Sequence, residues 1–231
     1  MNVLAIIPAR SGSKGLPDKN LKLLSGLPLI GHTISQAKDS GVFTDVIVST
    51  DSLYYAEVAK GLGAEIPFIR PPELATDTAL ALDTYQYTLT RLQSEFNRFY
   101  DAVFVLQPTS PLRLPIHIQQ AAEMLKGPDV DGVVSVCELE HPKSWIFDLP
   151  KSNSLGDGLK KKSLPNRQAE STSYRLNGAV FAAKVDAFRE QNGFYGPKTY
   201  ALIMDREFSL DIDDEMDFFL AECLLRRRGE K

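Results

Sequence analysis

The chain has 231 residues, of which 43% are hydrophobic and 24% charged, with a formal net charge of -4. That length suffices for one large domain with its own core. A charge so mildly acidic, without clustered excess Lys and Arg, argues against general nucleic-acid binding. No run of 18 apolar residues occurs and no basic stretch leads into a long apolar one, so no membrane segment and a cytoplasmic location are expected.

Val3 to Pro8 is a continuous apolar run, the pattern of a strand covered on both faces. The loop Arg10-Ser11-Gly12-Ser13-Lys14-Gly15 follows at its carboxyl end, where open α/β sheets bind ligands. Its glycines permit close backbone approach, and Arg10 and Lys14 supply charge suited to a triphosphate. The spacing is neither a Walker A loop nor a dinucleotide fingerprint, and by itself it also fits a tight turn with solvated basic residues.

Further apolar strands are predicted at Asp45 to Ser49, Ala102 to Leu106 and Gly132 to Val136, with helical stretches between them. That alternation predicts an α/β fold with a mainly parallel central sheet. Leu82, Tyr85, Leu89, Leu92, Phe96 and Phe99 recur at three- and four-residue spacing, which places them on the core face of one helix. Thr76 and Asp77 precede it as N-cap candidates, and Thr109 and Ser110 are read equally as caps or as ligand-facing hydroxyls.

Residues 140–167 break the pattern with prolines, Gly-Asp-Gly and three lysines. They are expected to form an arm or lid within a single domain spanning 1–231. A last helix is predicted from Asp214 to about Arg228, with Met216, Phe219, Leu220, Cys223 and Leu224 turned inward and Arg226 to Arg228 complementing its negative end. Cys137 and Cys223 lack metal-type spacing and are expected to be buried thiols. His32, His117 and His141 show no triad or zinc spacing. Asp211 and Asp213 flank Ile212 in a strand-like stretch, which would put both carboxylates on one face, a pair suited to Mg2+; Asp213 is equally placed to cap the last helix.

The blocks Ile6-Ile7-Pro8-Ala9-Arg10-Ser11-Gly12-Ser13-Lys14-Gly15-Leu16-Pro17-Asp18-Lys19-Asn20, Val48-Ser49-Thr50-Asp51, Arg70 to Thr78, Leu106-Gln107-Pro108-Thr109-Ser110-Pro111-Leu112-Arg113, Arg175-Leu176-Asn177-Gly178-Ala179 and Asp211-Ile212-Asp213 together resemble the acylneuraminate cytidylyltransferases, the CMP-sialic acid synthetase family. The resemblance spans essentially the whole chain. It implies a Rossmann-like nucleotidyltransferase fold and Mg2+-dependent transfer of CMP from CTP to the anomeric hydroxyl of a nonulosonic acid. It further implies that Arg10, Gly12, Ser13 and Lys14 hold the triphosphate, and that Asn20, Arg70 and Gln107 surround nucleotide and sugar. Lys143, Arg167 and Arg175 would contact the sugar carboxylate or phosphates, and Asp211 and Asp213 would hold the metal.

The two prolines after Arg70 favour an extended backbone that presents its guanidinium to a cytosine carbonyl. Ala81 stands where some members have serine, a departure that removes a side-chain contact to the base. The family resemblance also implies a homodimer in which 142–167 reach toward the partner's site. KDO cytidylyltransferases usually carry Lys-Pro where this chain has Lys19-Asn20, and so rank second. A nucleotide-sugar binding protein without chemistry is the other alternative, opposed by the intact Arg10, Lys14, Asp211 and Asp213.

Overall fold

The computed structural model describes residues 1–12, 15–149, 151–154 and 171–229. In chain order it contains β1 (Val3–Pro8), a small antiparallel ribbon of β2 (Leu23–Leu24) and β3 (Leu27–Pro28), α1 (Leu29–Asp39), β4 (Asp45–Ser49) and α2 (Leu53–Gly61). Then come α3 (Ala81–Phe96), β5 (Ala102–Val105), α4 (Pro115–Leu125), β6 (Gly132–Glu138), β7 (Tyr174–Lys184), α5 (Val185–Glu190), β8 (Thr199–Ile203) and α6 (Glu215–Arg228).

Six strands form the central sheet in the order β4-β1-β5-β7-β6-β8. Neighbours β4, β1 and β5 pair in parallel, as do β6 and β8, while β7 runs antiparallel to both β5 and β6. The mainly parallel sheet is as expected; the sequence reading did not predict β8 or the long strand β7. Its first half is polar and exposed at Tyr174 and Arg175, and its apolar half begins only after Gly178.

The period of two explains how β1 builds a core on both sides of the sheet. Ala5 and Ile7 face a cluster with Ile30 and Ile34 of α1, Tyr55 of α2 and Ile118 and Leu125 of α4. Leu4 and Ile6 face Tyr85, Leu89 and Leu92 of α3 and Phe188 of α5. Each such Leu or Ile, fully withdrawn from water, contributes about 1.5–3 kcal/mol. A third cluster of Leu16, Leu24, Leu29, Leu112 and Ile212 seats Phe218, Ala221 and Leu225 of α6.

The helix faces depart from expectation in two places. α3 stops at Phe96 because Asn97 turns left-handed (φ 53), so Phe99 leaves the helix and is exposed, as is Phe96. In α6 the buried residues are Phe218, Ala221 and Leu225; Met216, Phe219, Leu220 and Cys223 are exposed. Apolar residues surround most of that helix, so spacing alone does not select its inner face. Cys137 is buried, as expected, while Cys223 is not.

The caps also differ from the sequence reading. Leu80 precedes α3 with no side-chain cap, which excludes Thr76 and Asp77 from that role. Leu114 precedes α4, which excludes Thr109 and Ser110. Asp214, not Asp213, caps α6, accepting from the backbone N–H of Met216 and Asp217. Among the described residues no helix is long and apolar enough to cross a membrane.

Candidate functional site

A cleft of about 710 Å³ opens where the carboxyl ends of β1 and β5 meet the segments that follow β4 and β8. Its walls include Arg10, Asn20, Arg70, Gln107, Asp211 and Asp213, residues that the sequence reading placed at one site. Gly12, Lys143 and Arg175 are not among its walls. Ser13, Lys14 and Arg167 lie outside the described residues.

The first loop is pinned at both ends. Gly15 passes so close to the next segment that a Cβ would stand 2.5 Å from the Asp213 carbonyl oxygen. A side chain there would push the loop away from the aspartate pair. Arg10 reaches the opposite wall, donating to the Thr76 carbonyl at 3.1 Å and pairing with Asp77 at 3.0 Å. Asp77, expected as a helix cap, is therefore a counter-ion of Arg10. A pair this exposed is worth up to about 1 kcal/mol, weak enough for an incoming phosphate to replace. Asn20, 6% exposed in the 3-10 turn Lys19–Leu21, donates to the Arg10 carbonyl at 3.3 Å.

Arg70 is 5% exposed, and its backbone N–H donates to the Thr50 carbonyl at 2.8 Å. Its Nη1 approaches Thr84 Oγ1 at 3.4 Å, while Nε and Nη2 have no hydrogen-bond partner among the described residues. Burial lowers its pKa, opposed by Asp51, whose Oδ1 lies 3.7 Å from Nη2. A buried cation with two unspent donors beside a cleft is a ready hydrogen-bond source for a carbonyl oxygen.

Gln107 stands just past β5 and faces Gly178 in β7. Gly178 has φ +74, and a Cβ there would lie 2.5 Å from Gln107 Oε1 and 3.7 Å from Asp211 Oδ2. Beneath this point Arg113 is fully buried and donates to the carbonyls of Ala179 at 2.5 Å and Gln107 at 3.5 Å, and to Gln36 Oε1 at 3.1 Å. Burial lowers its pKa to about 9, which leaves it a cation at neutral pH.

Asp211 and Asp213 lie in an irregular segment, contrary to the expected strand. In place of a ladder, the Ile212 N–H donates to the Thr109 carbonyl at 2.8 Å and Lys19 Nζ donates to the Ile212 carbonyl at 2.5 Å. Nearby, the buried Asn177 amide ties the strands to this segment, accepting from Ser135 Oγ at 2.5 Å and donating to Ser209 Oγ at 2.9 Å. Burial raises the Asp211 carboxyl above the ordinary carboxylate range, and the Asp213 charge acts the same way. A Thr109 hydrogen bond and the charges of Lys19 and Arg175 oppose the rise without cancelling it. Asp211 Oδ1 is buried without a hydrogen-bond partner among the described residues, and Asp213 is largely exposed, with Oδ1 3.3 Å from Lys19 Nζ.

No cluster of three or more His, Cys, Asp or Glu side chains suited to a metal ion occurs among the described residues. The donor set here is two carboxylates, one of them desolvated and unsatisfied, which fits a hard cation that completes its shell with phosphate oxygens and water. Sequence reasoning assigned no role to Lys19, Asp51 or Arg113, although each falls inside a quoted block; their partners lie far away in the chain.

Residues 4–226 match the family profile described as Cytidylyltransferase. The chain is 39% identical over 233 residues to the CMP-N,N'-diacetyllegionaminic acid synthase of Legionella pneumophila subsp. pneumophila, covering 100% of this chain and 99% of that protein. It is 40% identical over 220 residues to the N-acylneuraminate cytidylyltransferase of Streptococcus agalactiae serotype V, covering 94% of this chain and 52% of that longer protein, about half its length. The solved structure of CMP:2-keto-3-deoxy-manno-octonic acid synthetase complexed with CTP shares the fold, with a TM-score of 0.72 at 14% identity over 99% of this chain and 100% of that one.

Proposed function

Because the chain belongs to the cytidylyltransferase family and is a CTP-dependent nucleotidyltransferase, we propose that it transfers CMP from CTP to the anomeric hydroxyl of a nonulosonic acid. The observation that carries the reading is the end-to-end match to a CMP-nonulosonate synthase, in a chain whose cleft gathers Arg10, Arg70, Gln107 and Asp211. The hydroxyl oxygen attacks the α-phosphorus, the bond from that phosphorus to the β-phosphate bridging oxygen breaks, and pyrophosphate departs as the hydroxyl proton is lost.

Each wall has a task in this scheme. Arg10 leaves the Asp77 carboxylate to meet the triphosphate, with Lys14 contributing from the same loop. Arg70 offers Nε and Nη2 to the cytosine carbonyl, and Gln107 supplies a neutral amide to base or sugar. Asn20 holds the loop through the Arg10 carbonyl. Asp211 and Asp213 would hold Mg2+, which would supply charge neutralisation at the reacting phosphate. Catalysis then rests on alignment and charge compensation.

The test is pyrophosphate release from CTP and Mg2+ with N-acetylneuraminate, N,N'-diacetyllegionaminate, pseudaminate or KDO in separate reactions. Release with at least one nonulosonate is expected. Release with KDO alone would move the substrate to the eight-carbon class, and CTP binding without turnover on any sugar would make the chain a binding protein.

A homodimer is part of the proposal, supported by the apolar side chains Trp145, Ile146, Phe147 and Leu149, all exposed in the excursion after β6. Lys143 and Arg175, exposed and outside the walls of the cleft, are proposed to serve the sugar from the mouth of the site or across that interface. Light scattering at micromolar concentration is expected to give twice the chain mass; a monomer mass would remove the dimer from the scheme. Because the reaction draws on CTP, a cytoplasmic location is proposed with it.

A further inference from the structure

We propose that Asp51 is a positioning residue for the nucleotide, fixing the Ser11 end of the first loop and the Arg70 guanidinium to one another; the proposal rests on the CTP reading of the cleft. Asp51 directly follows Thr50, just past the end of β4, and its carboxylate is shared between two segments distant in sequence. Oδ1 accepts from the Ser11 backbone N–H at 2.9 Å and Oδ2 from the Ser11 hydroxyl at 2.8 Å. On its other side, Oδ1 faces Arg70 Nη2 at 3.7 Å, beyond hydrogen-bond reach but close enough for strong attraction in a buried setting.

Thr50 completes the grip, since its carbonyl accepts the Arg70 backbone N–H at 2.8 Å. Arg70 is thus held by backbone from one residue and by charge from the next. The loop is held to the sheet just before Ser11, where the Ala9 N–H donates to the Ser49 carbonyl at 2.9 Å. One carboxylate therefore sets the separation between the phosphate loop and the buried arginine.

An acid next to a site for a polyanion weakens binding of that anion by repulsion unless its charge is engaged elsewhere. Asp51 is engaged twice, by the Ser11 donors and by Arg70. Burial acts to raise its pKa, yet the Ser11 hydrogen bonds and the Arg70 charge together hold the carboxyl below its ordinary value, so it stays ionised throughout the neutral range. With that charge in place, Arg70 keeps Nε and Nη2 unspent and held at a fixed distance from the loop.

The test compares Asp51→Asn, Asp51→Ala, Ser11→Ala and the Ser11→Ala/Asp51→Asn double variant with the wild-type chain. Initial rates are measured with CTP and then the accepted sugar as the varied substrate, alongside thermal unfolding. Asp51→Asn keeps an acceptor for the Ser11 N–H while removing the charge and replacing the oxygen that accepts from the Ser11 hydroxyl by an amide NH2, so the fold survives if Asp51→Ala does not. Its KM for CTP is expected to rise about tenfold, the scale of one hydrogen bond to a charged group, with kcat and the sugar KM within about twofold. Ser11→Ala is expected to raise the CTP KM severalfold, and the double variant to fall short of the product of the two effects. An unchanged CTP KM in Asp51→Asn, or equal rises in both KM values tracking a loss of thermal stability, would overturn the proposal. A wild-type chain that does not turn over CTP would instead sink the functional reading on which it rests.

Discussion

Replacing Asp211 by Asn is expected to cut kcat by about a hundred- to a thousandfold while leaving the thermal unfolding temperature unchanged or higher. The two halves of that expectation have one cause. Asp211 is half-buried, its Oδ1 is withdrawn from solvent without a hydrogen-bond partner among the described residues, and burial pushes its pKa up, so the folded chain carries an unfavourable charge at this point. An amide of the same shape relieves that cost but is a poor ligand for Mg2+ and adds no negative charge to bind it. Pyrophosphate release and a thermal melt on the same preparation read both effects. A variant that stays within a few-fold of the wild-type rate would remove Asp211 from the proposed metal site.

Gly178→Ala is expected to cost about 1–2 kcal/mol of stability, because residue 178 sits at φ +74, and to lower kcat/KM by tenfold or more. The added carbon would stand 2.5 Å from Gln107 Oε1. Gln107 can swing aside, so the chain still folds, but its amide then no longer faces the cleft beside Asp211. Urea unfolding measures the first effect and steady-state kinetics the second. Stability lost with kinetics intact would show that the position of the Gln107 amide does not matter to the reaction.

The sequence made much of the parallel framework legible, because β1 and β5 are continuous apolar runs and β4 and β6 carry short Val- and Ile-rich ones, the pattern of strands covered on both faces. β7 escaped because Arg175, Asn177 and Gly178 interrupt its apolar pattern, and its register against β6 slips between Val134 and Val136. The inner face of α3 was correct at Tyr85, Leu89 and Leu92 and failed where Asn97 ends the helix. At the site, Arg10, Asn20, Arg70, Gln107, Asp211 and Asp213 were legible as blocks and do share one cleft. What could not be read was pairing: Asp77 looks like a cap beside a helix, and only the folded chain shows it facing Arg10. Asp51 meets Ser11 across 40 positions and Lys19 meets Asp213 across 194, distances at which no local pattern survives.

The antiparallel strand also dictates when the molecule can be completed. Among the described residues β7 is the only strand joining the β4-β1-β5 half of the sheet to the β6-β8 half, yet it is the seventh of the eight described strands to emerge from synthesis. Until Tyr174 to Lys184 is available, β5 and β6 each present an unpaired edge, and Gly178 has not reached Gln107. From the completion of β6 at Glu138 until β7 follows, the nascent chain therefore holds open edges on β5 and β6 able to recruit other strands. Closing the sheet and assembling the Gln107 wall of the cleft are a single late event in the life of the chain.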